Sequence, residues 1–456
     1  MSNDSTAQEL VPWAPRVQHK FYEPIILFEA LNFATRNTAE FASHAESLDT
    51  RDPRQFFHAF VYKLAHLCDY VKGGTAVTSF MILQDDHDAA TVTYKFAVNQ
   101  QKPEQLDKTR QPRIKSYFRQ LQGQVRDCRT ICKNNMSEDD MTISAGLADV
   151  ESSMRVDLGD REMADSTFAT EAQAVIDELE QFQKSTAGEL IANRAQEGRN
   201  LPGYRSNEWD LQHTISRLVA YTVSVRFLIQ ARKMWPCLFK NFKVSYVFSS
   251  QQYPRVFRNK SGTANGIIGR MASEPQVIKT FRASVEDLQG FGLDARILEQ
   301  YQNPKFRPIV HSEILLLNWL QTSGGIHPRR FFKEWMYIGA SKPTCRLCHY
   351  YVEEHPSAVK VRPTHGNIYT NWRVPDVLVV NGPEAVAARD TMVERMLDRI
   401  RDDAFAMVKQ KVPSSHDSNT FSAGLTVVGT ATVDDSSIAE DFDDITSRIG
   451  DMGLVD

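Results

Sequence analysis

Two short motifs in a chain of 456 residues carry recognisable chemistry: His311-Ser-Glu313 and, 31 intervening residues after Glu313, Cys345-Arg-Leu-Cys348. Imidazole nitrogen and thiolate sulfur are the donors zinc prefers, and His311, Cys345 and Cys348 supply three, leaving one position of a tetrahedral ion open. An open position is the mark of a catalytic zinc, because a structural zinc has all four filled. Two cysteines three apart share a helix face, and a helix N-terminus favours their thiolate forms. Zinc lowers the pKa of a bound water from about 15.7 to about 7. Glu313 sits beside the ion without being required as a ligand, so it can take that water's proton and return it to a leaving amine.

Each half of this pattern has a plainer reading. His311 and the cysteines could be core residues, and Glu313 could be a carboxylate answering a helix dipole. Their combination is the signature of zinc deaminases attacking C4 of cytosine or C6 of adenine, with cytosine slightly favoured here. His349 follows Cys348 directly, but about 100° further round a helix it points to solvent or beside the ligands and not at the metal.

Beyond the motifs, the stretches Val310-His-Ser-Glu-Ile-Leu-Leu-Leu, Tyr337-Ile-Gly-Ala-Ser-Lys-Pro-Thr-Cys-Arg-Leu-Cys, Thr364-His-Gly-Asn-Ile-Tyr and Asn371-Trp372 carry a resemblance. Here the chain resembles the fungal deaminase-like proteins of the nucleic-acid and nucleotide (cytidine) deaminase superfamily. The close resemblance covers about residues 305–375, with a looser similarity of layout from about 205. It implies a three-layer α/β/α sandwich, Zn2+ on His311, Cys345 and Cys348, and Glu313 as proton shuttle. It implies no substrate. Many members place proline immediately before the first cysteine, whereas this chain reads Pro343-Thr344-Cys345, which bears on contacts made by that loop.

A nucleobase-containing substrate needs a pocket. Ser341, His365, Asn367, Tyr369 and Trp372 are the candidates to line it, with Tyr369 or Trp372 stacking on the ring and Asn367 reading its edge. The alternative is a turn holding a satisfied histidine and core aromatics. Between Leu211 and Ser273 there are ten Lys and Arg residues and no Asp or Glu. Lys240, Lys243, Arg255 and Arg258, interleaved with Phe239, Phe242, Tyr246, Tyr253 and Phe257, are candidates to follow the phosphates of a single-stranded nucleic acid. The same composition arises if the aromatics are core and the charges pair with acids elsewhere. Cys128-x-x-x-Cys132 has no accompanying histidine or acidic cluster and reads as structural.

The elements that must position these groups follow from periodicity. Asp52-Pro53 starts an amphipathic helix through Val71, and β-formers over 77–83 and 91–98 flank a polar turn, suggesting a hairpin within 76–98. Residues 103–205 are polar and mostly helical in pattern, and Asn200-Leu-Pro-Gly203 marks a boundary. A helix over Leu211–Ile229 then feeds a strand at Phe242–Phe248. Later a helix from about His311 precedes a strand at Met336–Gly339, a helix from Thr344 and a strand near Val359–Arg362, before a long helix from Pro383 to about Lys411. This alternation predicts an α/β fold, a sheet covered by helices. The expected organisation is a disordered 1–20, a mainly α-helical domain over 21–204, a zinc deaminase-like domain over 205–412 and a flexible tail over 413–456.

The tail carries nine acidic residues against one Arg, so a net charge of −4 overall conceals a body of opposite sign. Hydrophobic residues at 42% and charged residues at 24% fit a globular chain, and no stretch is long and apolar enough to span a bilayer. Without a secretory leader pattern the expected location is intracellular, cytoplasmic or nuclear, and six cysteines are too few for a disulfide framework. The rival to an enzyme is a catalytically silent, zinc-stabilised fold that binds nucleic acid or protein.

Overall fold

The computed structural model describes residues 9–35, 47–49, 51–69, 73–84, 91–100, 110–154, 165–198, 206–254, 256–257, 262–410 and 426–428. Helix α1 (Pro15–Thr35) precedes a short strand β1 (Ser47–Asp49), which pairs in parallel with β7 (Thr426–Val428). Asp52 accepts the Arg54 N–H as N-cap, Pro53 takes the first helical position, and α2 (Pro53–Cys68) follows. Strands β2 (Thr78–Gln84) and β3 (Val92–Val98) then pair antiparallel over their full lengths.

Four helices come next: α3 (Arg110–Asn135), α4 (Glu138–Ser153), α5 (Asp165–Gln183) and α6 (Thr186–Gly198). They enclose their own core of Leu121, Val125, Leu147, Leu179 and Ile191. The 28-residue α7 (Asn207–Met234) leaves that core and delivers the chain to β4 (Phe242–Val247). Leu211, Ile215 and Leu218 in its first half pack on α3–α6, while Phe227 and Ala231 pack with α2.

The rest of the chain forms α8 (Ala264–Met271), α9 (Pro275–Leu288), α10 (Leu293–Gln302), α11 (Ser312–Thr322), β5 (Tyr337–Ala340), α12 (Arg346–Glu354), β6 (Lys360–Val361) and α13 (Gly382–Gln410). One five-stranded sheet runs β4-β3-β2-β5-β6. β2 is antiparallel to both β3 and β5, whereas β3 with β4 and β5 with β6 are parallel. Alternate side chains divide its two faces: Phe80 and Ile82 join the core under α2, and Met81 and Leu83 join the one under α11. This is a mixed α/β fold with helices on both faces of a sheet.

Strands from both sides of residue 205 share this sheet, because β5 completes its hydrogen bonding on β2. The chain is also ordered earlier than a disordered 1–20 implies. Val11 N–H bonds Val377 O at 2.8 Å, Trp13 is buried against Phe21, and Pro15 starts α1. The tail from Pro413 lies outside the described residues except for β7. No described helix is long and apolar enough to cross a membrane.

Candidate metal centre and active site

His311 is the N-cap of α11 and Cys345 the N-cap of α12, both with extended backbone. Two helix N-termini, each the positive end of a dipole, therefore converge on one spot, a favourable setting for thiolates. Cys345 Sγ caps its own helix by accepting the Cys348 N–H at 3.4 Å. His311 Nδ1 lies 3.5 Å from Cys345 Sγ and 3.4 Å from Cys348 Sγ, and the three ligand atoms fall within 4.8 Å of one another. A tetrahedral zinc with Zn–S near 2.3 Å and Zn–N near 2.0–2.1 Å sets nitrogen and sulfur ligands about 3.6 Å apart. The observed spacing and the two-sulfur, one-nitrogen donor set fit zinc. Among the described residues no other group of three His, Cys, Asp or Glu side chains converges in this way.

Electrostatics favour a negative sulfur at Cys345 and oppose one at Cys348. Burial would raise the Cys345 thiol, but the hydrogen bond with Cys348 and the charge of His311 bring it down to about 6. Burial and the neighbouring Cys345 thiolate together push Cys348 well up. His311 is raised, its own burial outweighed by the Cys345 charge.

Residues remote in sequence fix the start of α11. The Val310 N–H donates to Ser250 Oγ at 2.8 Å, and the Ser312 N–H donates to Asn99 Oδ1 at 2.7 Å. Asn99 is itself held by donating from Nδ2 to Gly74 O. Ser312 Oγ donates to Glu313 Oε2 at 3.4 Å and lies 2.7 Å from Ser79 Oγ, so with one proton per hydroxyl Ser79 donates to Ser312. Glu313 is thus buried beside the three ligands, with its carboxylate oriented by Ser312 and outside the His/Cys/Cys group. Nothing in the sequence pattern links Asn99, Ser79 or Ser250 to this site.

The other candidates are placed as follows. Ser341 is fully buried; its Oγ donates to Asp69 Oδ2 at 2.9 Å and accepts the Thr78 N–H, fastening the end of β5 to β2. His365 Nδ1 accepts the Asn367 N–H at 3.0 Å, and the Asn367 carbonyl accepts the Arg346 N–H, so both shape the loop against α12. Tyr369 is 41% exposed, its ring centre 6.4 Å from that of His311 and 5.8 Å from that of His365. Trp372, fully buried, donates its indole N–H to Cys348 Sγ at 3.1 Å. His349 turns to Glu353 at 3.3 Å.

In the basic segment, Arg226 bonds Glu180 and Arg270 bonds Glu23, so these charges do meet acids elsewhere. Lys240 and Lys243 are exposed before and in the edge strand β4. Arg255 and Arg258 lie outside the described residues.

Residues 310–376 match the family model described as OTT_1508_deam:-like deaminase. The match takes in all three ligands, Glu313 and the loop to Trp372, and leaves out α1, α2, the β2–β3 hairpin and the helices α3–α7. No curated protein and no solved structure matches the chain. Similarity to a deaminase family over these residues, together with a cluster compatible with a metal such as zinc, is the common ground of sequence and structure.

Proposed function

We propose that the chain is a zinc-dependent hydrolytic deaminase that removes an exocyclic amine from a nucleobase, in a nucleotide or in single-stranded nucleic acid. The observation that carries this reading is Glu313: a buried carboxylate beside three convergent ligands, held by a serine hydroxyl and not needed as a fourth ligand. Zinc, when bound, supplies a Lewis acid that lowers the pKa of a coordinated water. Glu313 takes a proton from the attacking water and delivers it to the departing amine, which leaves as ammonia, while the base gains an oxo group. Asn99, through the Ser312 N–H, and Ser79, through the Ser312 hydroxyl, keep that carboxylate in place. Tyr369, exposed beside His311, offers a face on which the base stacks, and Lys240 and Lys243 supply cations for phosphates. The two-faced sheet is consistent with a cytidine-deaminase-like sandwich.

Glu313→Gln keeps size and loses the ability to accept a proton. On a panel of cytidine, adenosine, their nucleotides, and single-stranded DNA and RNA, the variant retains zinc and fold and loses turnover by about 10²–10⁴-fold. Loss of zinc together with folding makes Glu313 a ligand or structural residue. Wild-type protein inert on the whole panel leaves the reading of a silent zinc-stabilised module.

A further inference from the structure

Trp372 lies in the loop after β6, 24 residues beyond the Cys348 it touches. An indole N–H can only donate, and a fully buried donor needs an acceptor. The acceptor is Cys348 Sγ at 3.1 Å, an atom of the candidate metal site. A hydrogen bond to a thiolate is charge-assisted, stronger than one to a thiol, and draws electron density from the sulfur.

The indole has little freedom to turn away. Phe21 of α1 lies against it at 6.2 Å between ring centres and Tyr351 of α12 at 6.1 Å. Its backbone is fixed as well: Ile309, just before the His311 cap, bridges to it in parallel, accepts the Arg373 N–H and donates to Asn371 O. From α1 the Tyr22 hydroxyl donates to Trp372 O at 3.0 Å. The segment carrying His311, the helix carrying Cys348 and the N-terminal helix therefore meet at this one residue, the first through its backbone and the other two through its indole. Phe21 and Tyr22 lie outside the 310–376 match, so the metal centre has support there that the matched region does not contain.

We propose that Trp372 is a positioning residue for the metal ligand Cys348: its N–H aims the sulfur and tempers its donor strength, with α1 holding the indole in register. The proposal rests on the metal-centre reading above. Partners of this kind are typically worth about 10–100-fold in metal affinity.

The test uses the full chain and Trp372→Phe, which keeps an aromatic ring and removes the N–H. Zinc affinity, read by competition with a chromophoric chelator, falls by about 10–100-fold. With Co2+ in place of zinc, the thiolate-to-cobalt charge-transfer band moves to lower energy, because the sulfur lone pair has lost its hydrogen bond. Should the variant fold poorly, wild-type protein loaded with 113Cd2+ decides the matter. One of its six tryptophan indole N–H signals then shows scalar coupling to cadmium. A folded variant with unchanged zinc affinity and an unmoved cobalt band overturns the role, as does the absence of any cadmium-coupled indole. Wild-type protein that takes up none of the three ions removes the metal centre itself, and the role with it.

Discussion

Gly339 stands in β5 where α2 crosses it, and a single methyl group there tests how tightly the layers behind the candidate metal cluster are packed. A Cβ at Gly339 would come 2.7 Å from Tyr62 N, 2.8 Å from Val61 Cγ1 and 3.0 Å from Val61 C, where ordinary contact begins at 3.4 Å. Two of these three atoms are backbone, so no rotamer relieves the clash. Helix and strand must part by about 0.7 Å, and α2 has nowhere to go: Phe57 is packed against Trp235, Phe332 and Trp335. Overpacking of this kind costs about 1–3 kcal/mol. At about 1 °C per kcal/mol for a chain of 456 residues, Gly339→Ala melts about 1–3 °C below wild type by calorimetry. Because the chain passes directly from β5 through Ser341 to Cys345, zinc affinity falls as well. Gly123→Ala is the matching control. Its Cβ meets nothing within 4 Å in the interior of α3, so replacing a helical glycine there stabilises by about 0.5–1 kcal/mol. If Gly339→Ala melts within about 0.3 °C of wild type and binds zinc unchanged, the close α2–β5 approach is not a constraint.

Two further outcomes are expected. Purified protein carries about one zinc per chain by elemental analysis, and Cys345→Ala with Cys348→Ala releases it; zinc that stays stoichiometric in the double variant sits elsewhere. Acid stability depends on His58, whose imidazole is held down to about 4, first by burial and then by the Arg54 charge. The unfolded chain takes this proton first, near pH 6.5, so the stabilisation is complete above pH 6.5 and is lost as pH falls toward 4. His58→Phe keeps the stack on Tyr337, 3.9 Å between ring centres, and cannot titrate. The fall in urea midpoint between pH 6.5 and 4.5 is therefore shallower in the variant, and equal slopes would refute the assignment.

The convergence of His311, Cys345 and Cys348 was legible because the chemistry of a candidate metal cluster is written in residue type and short spacing. The helix after Asp52-Pro53 and the strands around 78–98 were legible from capping and alternation. Helix α1 was not. Phe21, Tyr22, Ile25, Ile26, Leu27 and Phe28 are all buried, so the run has no polar face to show a period, and Pro24 reads as a helix breaker although it sits inside the helix. The place of the hairpin was equally hidden, since β2 meets β5 across more than 250 residues and only tertiary packing decides that pairing. Trp372 was visible as an aromatic near the motifs, but its burial turned a candidate base-stacking ring into a donor to sulfur. The shell of Asn99, Ser79 and Ser250 carries no local signal, because polar residues become partners only once distant segments are brought together.

Helix α7 has a mechanical meaning. Its 28 residues make a continuous rod of roughly 42 Å, seated at one end among α3–α6 and at the other against α2, with Val223 touching both cores. No loop lies between the two seats to absorb displacement. A tilt of about 5° around Val223 swings the bundle end by about 2 Å and the α2 end by about 1.4 Å. The four-helix bundle is therefore one arm of a lever whose other arm bears on Phe56 through the stacked ring of Phe227. A displacement of the bundle would therefore reach α2, the layer directly behind the sheet, before it reached the candidate metal cluster.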